Sequence, residues 1–401
     1  MFVNTEHLPQ RLQPEHYTSP EIYQQEIEKL FLPGWHCLGV VAQMPEVGDF
    51  RTVELFERPL ICWHTVEGFR TYLNVCSHRF SKLTNEPQGH AKGTLKCQYH
   101  GWEFDQAGNT CKIPDAQCFR PLTKGQLGLK EYRTETVGQL IFVCLDESSP
   151  SLRDFLGAEL VALCEDWFGP DSRIVYVFDQ DLECNWKVVA ENVVESYHIE
   201  SVHSKSFVNF PRAEECTHAF HATYDHFIHD YRNAATKSST RAERTVARLT
   251  GQAAELRYHN LMRYPNINFG KGAQVGYIQM IWPISPSKCH TFSLFMDQPG
   301  RRGRWQSELA HRLIKFAGAP FIRRVLLEDA VIYPHVHQGI ACPDRPHGGG
   351  LISTREERVF AFQDYILEAM EERTSKRTAM IASLPEDRLA ARNTANPVKS
   401  I

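Results

Sequence analysis

The stretch "CSHRFSKLTNEPQGHAKGTLKCQYHGW", Cys76 to Trp102, sets a Cys-x-His pair ahead of a Cys-x-x-His pair, with eighteen residues between them. Each pair offers one thiolate and one imidazole from a short, turn-rich loop. If Cys76, His78, Cys97 and His100 hold a two-iron, two-sulfide cluster, each loop can give its Cys to one iron and its His to the other. Two ferric ions, two sulfides and two thiolates then sum to nearly zero charge, so the centre takes an electron more readily than one held by four thiolates. The potential rises to roughly −150 to +300 mV. Structural zinc is the alternative for a Cys₂His₂ set, but zinc fingers pair Cys with Cys and His with His, whereas each pair here is mixed.

A second constellation lies about a hundred residues on, in "NWKVVAENVVESYHIESVHSK", Asn185 to Lys205. Asn192, Glu195 and His198 are three apart, along one face of a helix that turns ~100° per residue. His203 falls off that face, so the two imidazoles share a metal only if the helix bends or ends between them. Two His call for a carboxylate to complete a facial triad with open positions on ferrous iron. In "FIRRVLLEDAVIYPHVHQ", Asp329 lies near the centre of an apolar stripe that includes Val325, Leu326, Ile332 and Tyr333, and Glu328 lies on its flank. A carboxylate aimed into apolar surroundings needs a partner or a metal, which favours Asp329 over Glu328. Pro334 is expected to interrupt this helix. His218, His221, His226 and His229 cluster too, but without a carboxylate motif they read as structural. His335 and His337 read as an extended pair. Cys111, Cys118, Cys144 and Cys184 read as small buried apolar residues.

The elements that must position these groups have two textures. "PEIYQQEIEKLFL" has Ile22, Ile27, Leu30 and Phe31 at helical spacing, stopped by Pro33-Gly34. From Trp35 to about Leu145, runs such as "DFRTVELF", "PLICWHTV" and "GQLIFVCL" alternate with turn residues and predict a small antiparallel β domain. "DESSPSLRDF" is the boundary. Strand-like "RIVYVFDQDLEC", "VGYIQMIWPI" and "HTFSLFMD" mix with helical blocks beyond it, giving an α+β second domain. Ser353 and Glu356 mark a capping box ahead of a last helix, and "STRAERTVARL" reads as an exposed capped helix. The division is a helical segment at 1–34, a β domain at 35–150 and an α+β domain at 151–401. A net charge of −4 with interspersed signs gives no field for nucleic acid. No apolar run reaches the roughly 18–20 residues a membrane span needs. The first residues lack a basic and apolar leader, and twelve scattered cysteines suit a reducing compartment, so the expected location is cytoplasmic.

The motifs "CSHR" and "CQYHGW" resemble the cluster motif of Rieske-type non-heme iron oxygenases, with Phe80 in place of the usual glycine. "NWK...EN..E..H....H" resembles the catalytic-iron motif of the same family. Together the resemblance covers about residues 18–370 and implies the catalytic alpha subunit. It implies a Rieske antiparallel β domain with a [2Fe-2S] cluster on Cys76, His78, Cys97 and His100, joined to a helix-grip catalytic domain with Fe(II) on His198, His203 and Asp329. A late-helix Asp followed by Gln, here Gln338, belongs to the same pattern, one residue longer in spacing. O₂ is then a co-substrate. No G-x-G-x-x-G fingerprint appears, so NAD(P)H acts only indirectly, through a reductase and possibly a ferredoxin. The resemblance further implies a homotrimer, or a trimer with a small beta subunit, in which one subunit's cluster serves a neighbour's iron. Glu195, one helical turn ahead of His198, is the residue expected to bridge them. It stands where many aromatic dioxygenases carry Asp and resembles the branch acting on quaternary amines, so the substrate is a small aromatic or a quaternary amine. Tyr197, Phe207, Phe210, Tyr224, Tyr264, Phe269 and Trp282 are candidates for lining an aromatic pocket or caging an ammonium group. A non-catalytic Rieske electron carrier and a zinc-stabilised ligand-binding protein are the rival readings.

Overall fold

The Ser19 hydroxyl accepts the Glu21 and Ile22 amides and opens the first substantial helix, Pro20–Glu26, which widens into a π-helical turn over Ile27–Phe31. In this computed structural model residues 2–371 are described, apart from 124, 208–209, 233–236, 253, 273, 299, 301–302 and 347–348. Ile27, Leu30 and Phe31 are buried, as the apolar spacing predicts.

The β-rich runs form a seven-stranded sheet. Its order is Trp35–Val40, Leu140–Cys144, Glu131–Val137, Gly68–Leu73, Arg58–Thr65, Asp49–Leu55 and Gln88–His90, and each neighbouring pair is antiparallel. The two-residue turn between Asp49–Leu55 and Arg58–Thr65 uses Phe56 and Glu57, both left-handed at φ 49° and 62°. Such turns favour Gly or Asn. Here Phe56 is buried against Phe31 and His36, at ring separations of 5.4 and 5.1 Å, and that burial offsets the strain. A smaller sheet of Leu95–Lys96, Glu103–Phe104 and Thr110–Lys112 carries the second Cys-His loop.

After helix Leu152–Trp167, seven antiparallel strands form the second sheet, in the order Arg173–Leu182, Lys288–Asp297, Val275–Ser285, Ile267–Gly272, Arg257–Arg263, Tyr224–Asp230 and Cys216–Phe220. Side chains alternate across it. One face meets the first domain, where Trp282 donates its indole N–H to His36 Nδ1 at 3.2 Å and Arg51 pairs with Asp179 at 3.0 Å. The other face meets the last helix, where Arg358 pairs with Asp225 and His218 with Glu357. That helix, Glu357–Glu371, is preceded by the Ser353/Glu356 capping box and buries Val359, Phe362 and Ile366. The fold is thus α+β, with two seven-stranded antiparallel sheets, a short helical segment ahead of the first and the longer helices in the second domain.

One helix runs unbroken from Arg304 to Ala341 through Pro320 and Pro334. The expected stop at Pro334 does not occur. A proline deletes only its own N–H bond to the carbonyl four residues back, and the rest of the ladder, packed on the sheet, continues. His335 and His337 are therefore helical rather than extended. Lys237–Thr250 is helical as expected.

Candidate functional site

Both Cys-His loops close through backbone hydrogen bonds around their cysteine. Cys76 N–H donates to Ser81 O at 2.8 Å and Cys76 O accepts from Phe80 N–H at 3.0 Å; Cys97 N–H donates to Trp102 O at 2.8 Å and Cys97 O accepts from Gly101 N–H at 3.1 Å. The second loop turns at Gly101, φ 69°, and the first at Phe80, φ 61°. Phe80 therefore keeps a left-handed turn that suits glycine, with its ring held out in solvent. The side chains converge. Cys76 and Cys97 are both buried, His78 lies 4.7 Å from the His100 ring, and Trp102 stacks on His78 at 4.7 Å and 2°. Phe119 meets both His78 and Trp102 edge-on. Burial pushes the Cys76 thiol up to about 11, so its thiolate calls for a bound cation. His78 Nδ1 is buried without a hydrogen-bond partner. Two soft sulfurs and two imidazoles, one of them with an orphan Nδ1, fit an iron–sulfur cluster.

The second group is built where a helix breaks. Asn185 caps helix Trp186–Val193 by accepting the Lys187 amide at 3.0 Å. The helix ends before Glu195, so Asn192 is on it and Glu195 is in the break, contrary to a continuous helical face. A four-residue turn, Ile199–Val202, then separates His198 from His203. The break that the five-residue spacing was expected to place between the two histidines therefore lies ahead of His198, and a helical turn joins them. The long helix brings Asp329 between the two rings, with Oδ1 at 3.6 Å from His198 Nε2 and 3.1 Å from His203 Nε2. One ligand atom from each of the three residues lies within 4.8 Å of the others. Asp329 Oδ1 is buried and makes no hydrogen bond. That arrangement fits a divalent cation, for which two neutral imidazoles and one carboxylate on one side leave the far side open.

Glu328 does not join the three. It accepts from the other nitrogen of His203, Nδ1, at 2.9 Å, and from Ser206 Oγ at 2.8 Å. Glu195 does the same for His198, with Oε1 on Nδ1 and Oε2 taking the His198 backbone N–H at 3.2 Å. Burial disfavours a charged His203, but Asp329 and Glu328 outweigh it and raise its pKa. The surroundings hold positive charge, whether proton or metal.

The competing residues lie elsewhere. His218 pairs with Glu357 at 2.9 Å, His226 meets His259 at 3.0 Å, His229 meets Glu215 at 3.2 Å and His221 stacks on Tyr224, all on or beside one β-hairpin. His337 accepts the Asn185 amide at 3.4 Å, and Gln338 follows on the same helix. Tyr264, Phe269, Trp282 and Tyr224 are core; Phe207 and Phe210 are half-buried, and Tyr197 is exposed. Phe207 alone of these packs on a triad ring, 5.6 Å from His203. Cys144 and Cys184 are buried as expected, Cys111 is half-buried, and Cys118 is exposed. Sequence reasoning missed Ser206 and the grip of Glu328 on His203; the acidic doublet Glu328-Asp329 was the available signal.

Comparison with known proteins follows the same division. The family described as the ring hydroxylating alpha subunit (catalytic domain) matches residues 167–372, and the Rieske [2Fe-2S] domain matches residues 34–133. The 2-aminobenzenesulfonate 2,3-dioxygenase subunit alpha of Alcaligenes sp is 33% identical over 187 residues, 45% of this chain and 47% of that protein. The biphenyl 2,3-dioxygenase subunit alpha of Rhodococcus jostii (strain RHA1) is 33% identical over 194 residues, 47% of this chain and 42% of that one. The match thus spans somewhat less than half the length of these curated relatives. Among solved structures, the quaternary ammonium Rieske monooxygenase CntA in complex with L-carnitine has a TM-score of 0.70 at 17% identity, covering 91% of this chain and 96% of that one. Naphthalene 1,2-dioxygenase from Rhodococcus sp. bound to indole has 0.69 at 18%, covering 92% and 95%. At such identities the likeness is one of fold. Among the described residues no helix is long and apolar enough to cross a membrane.

Proposed function

The chain belongs to the ring-hydroxylating alpha-subunit family of Rieske oxygenases, and from that premise we propose that it is the terminal oxygenase of a multicomponent system. It takes O₂, and electrons from a separate reductase or ferredoxin, to hydroxylate or oxidatively demethylate a small aromatic or quaternary-amine substrate. One observation carries the reading: the His198, His203 and Asp329 ligand atoms gather within 4.8 Å in a chain that also carries the two mixed Cys-His loops.

In this proposal Cys76, His78, Cys97 and His100 hold the [2Fe-2S] cluster, while His198, His203 and Asp329 hold Fe(II). When bound, the cluster supplies electrons one at a time and the ferrous ion supplies the place where O₂ is activated beside substrate. The chain's residues do the positioning. Trp102 stacks on His78 and Phe119 meets it edge-on, which sets the plane of its ring. Glu195 holds the His198 ring from behind, so that Nε2 faces the site. Segment 1–34, domain 35–150 and domain 151–401 divide the work into packing, electron storage and catalysis.

The relatives named above act on aromatics, and the solved CntA complex holds a quaternary ammonium compound. Glu195, in place of the Asp of many aromatic dioxygenases, favours the amine class. A solved CntA structure is described with inter-subunit electron transfer. We carry this over as a homotrimer, or a trimer with a beta subunit, in which a neighbour's cluster approaches Glu195. Among the described residues no cysteine is in a disulfide, which suits the cytoplasm.

The test is a single turnover. Protein reduced anaerobically and freed of reductant is mixed with ¹⁸O₂ and a panel of aromatic acids and quaternary amines, and products are identified by mass. Labelled product from one class, with reoxidation of the cluster, supports the reading. Reoxidation without labelled product in a protein holding only about two irons per chain marks an electron carrier. A colourless zinc protein marks the ligand-binding alternative.

A further inference from the structure

Each imidazole that turns Nε2 toward Asp329 is gripped at Nδ1 by a second carboxylate. For His198 that carboxylate is Glu195, in the same loop. For His203 it is Glu328, which arrives from the long helix. Glu328 and Asp329 are neighbours in sequence, so one turn of helix delivers carboxylates to both ends of a single ring: Asp329 Oδ1 at 3.1 Å from Nε2, and Glu328 Oε2 at 2.9 Å from Nδ1. Glu328 is itself anchored. Ser206 Oγ donates to its second oxygen at 2.8 Å, and Ser206 N–H donates to the His203 carbonyl at 2.9 Å. His203, Ser206 and Glu328 thereby close a ring of contacts that fixes the imidazole plane. Placing two carboxylates side by side on a half-buried helix face carries a repulsive cost, and a triad with three ligands of its own has no need of the second one.

We infer that Glu328, anchored by Ser206, is a positioning residue for the mononuclear metal centre. It accepts the Nδ1–H of His203, fixing the tautomer whose free lone pair is on Nε2. It aims that lone pair at the space shared with His198 and Asp329, and it makes the imidazole a stronger donor to a cation. The inference rests on the proposed reading of the triad as a metal site, and it gives the acidic doublet two separate tasks. Glu328 also borders an open groove of about 450 Å³ lined by Pro320, Arg323, Arg324, Leu327 and Val331. Shortening its side chain therefore leaves space that water can fill rather than a dry cavity.

The test uses the full chain with its cluster in place and the mononuclear metal removed, titrated with Co(II) by equilibrium dialysis and followed by the Co(II) ligand-field spectrum. Glu328→Ala should keep one site per chain with affinity about 10–100-fold weaker and an altered Co(II) spectrum. Glu328→Gln, which keeps an acceptor oxygen, should recover part of the loss, and Ser206→Ala should fall between Gln and wild type. The cluster's visible spectrum and the melting temperature should stay unchanged in all three, which a merely structural role would not give. Wild-type Co(II) affinity and spectrum in Glu328→Ala would overturn the inference while leaving the metal site standing. Loss of the site in Glu328→Ala with retention in Asp329→Ala would overturn it by making Glu328 a ligand. Wild-type protein that takes up no Co(II) would overturn the metal reading and this inference with it.

Discussion

The Tyr333 hydroxyl donates to Asn192 Oδ1 at 3.0 Å, joining the long helix one turn past Asp329 to the helix that leads into His198 and His203. Two elements distant in sequence, each bringing part of the triad, are thereby fixed relative to each other. Tyr333 is buried, so its hydroxyl has no water to fall back on.

Tyr333→Phe should cost about 1 kcal/mol by leaving the Asn192 oxygen unpaired, lowering the melting temperature by roughly 2–4 °C. Calorimetry of the apo and metal-loaded protein reads this. The difference should persist in both, and an unchanged melting temperature would remove this tie from the account.

Lys187 and Glu26 form an ion pair of 2.6 Å with both side chains buried, and Trp186 Nε1 donates to the second Glu26 oxygen at 2.8 Å. Burial lowers the Lys187 pKa against the opposing pull of Glu26. Lys187→Met strands a buried carboxylate and should cost about 3–5 kcal/mol. The double variant Lys187→Met with Glu26→Gln should regain much of that in denaturant unfolding. A single variant as stable as wild type would show that the pair is not what holds the leading helix.

His36 titrates across the contact between the two sheets. Its Nε2–H donates to Phe31 O at 2.8 Å and its Nδ1 accepts from Trp282, so the native ring is neutral. Burial lowers its pKa from 6.5 to about 4. The folded form thus resists protonation: its stability is fully present above pH 6.5 and is lost as pH falls through about 4, by roughly 3 kcal/mol in all. His36→Gln should flatten the acid limb of stability measured by urea unfolding between pH 7 and 4.5. An undiminished slope would assign the acid loss to other groups.

Much of this site was legible because its chemistry demands particular letters at particular spacings. Cys76, His78, Cys97 and His100 stand out as mixed pairs, whereas the break expected between His198 and His203 lies ahead of His198, and a helical turn joins the two. Asp329 was legible through helix geometry alone, since an inward carboxylate among apolar neighbours needs a partner. The grip of Glu328 on His203 was not, because it depends on a contact between segments 125 residues apart. Pro334 misled for a related reason: a local breaking rule lost to the packing of a 38-residue helix. Glu195 was placed beside His198 correctly but on a helix that ends before it. Strand alternation foretold the sheets, whereas the Phe56-Glu57 turn, which lacks the usual Gly or Asn, carries its signal only in the burial of Phe56.

Glu195 touches His198 within this chain and is the proposed bridge to a neighbour's cluster. Glu195→Gln should keep both metals and the assembly yet lose most single-turnover oxygenation, because the path for the electron is broken. Stopped-flow absorbance of the cluster reads this directly: reoxidation on mixing with O₂ and substrate should slow at least tenfold. A rate near that of wild type would refute the bridge.

The central claim, two separate iron sites in one oxygenase chain, is tested most directly by iron content and Rieske electron resonance in wild type, Cys97→Ala and Asp329→Ala. The account predicts about three irons per chain in wild type. Cys97→Ala should lose two of them with the resonance and the brown colour, and Asp329→Ala should lose one with the resonance intact. Two irons in wild type, unchanged in Asp329→Ala, would contradict it.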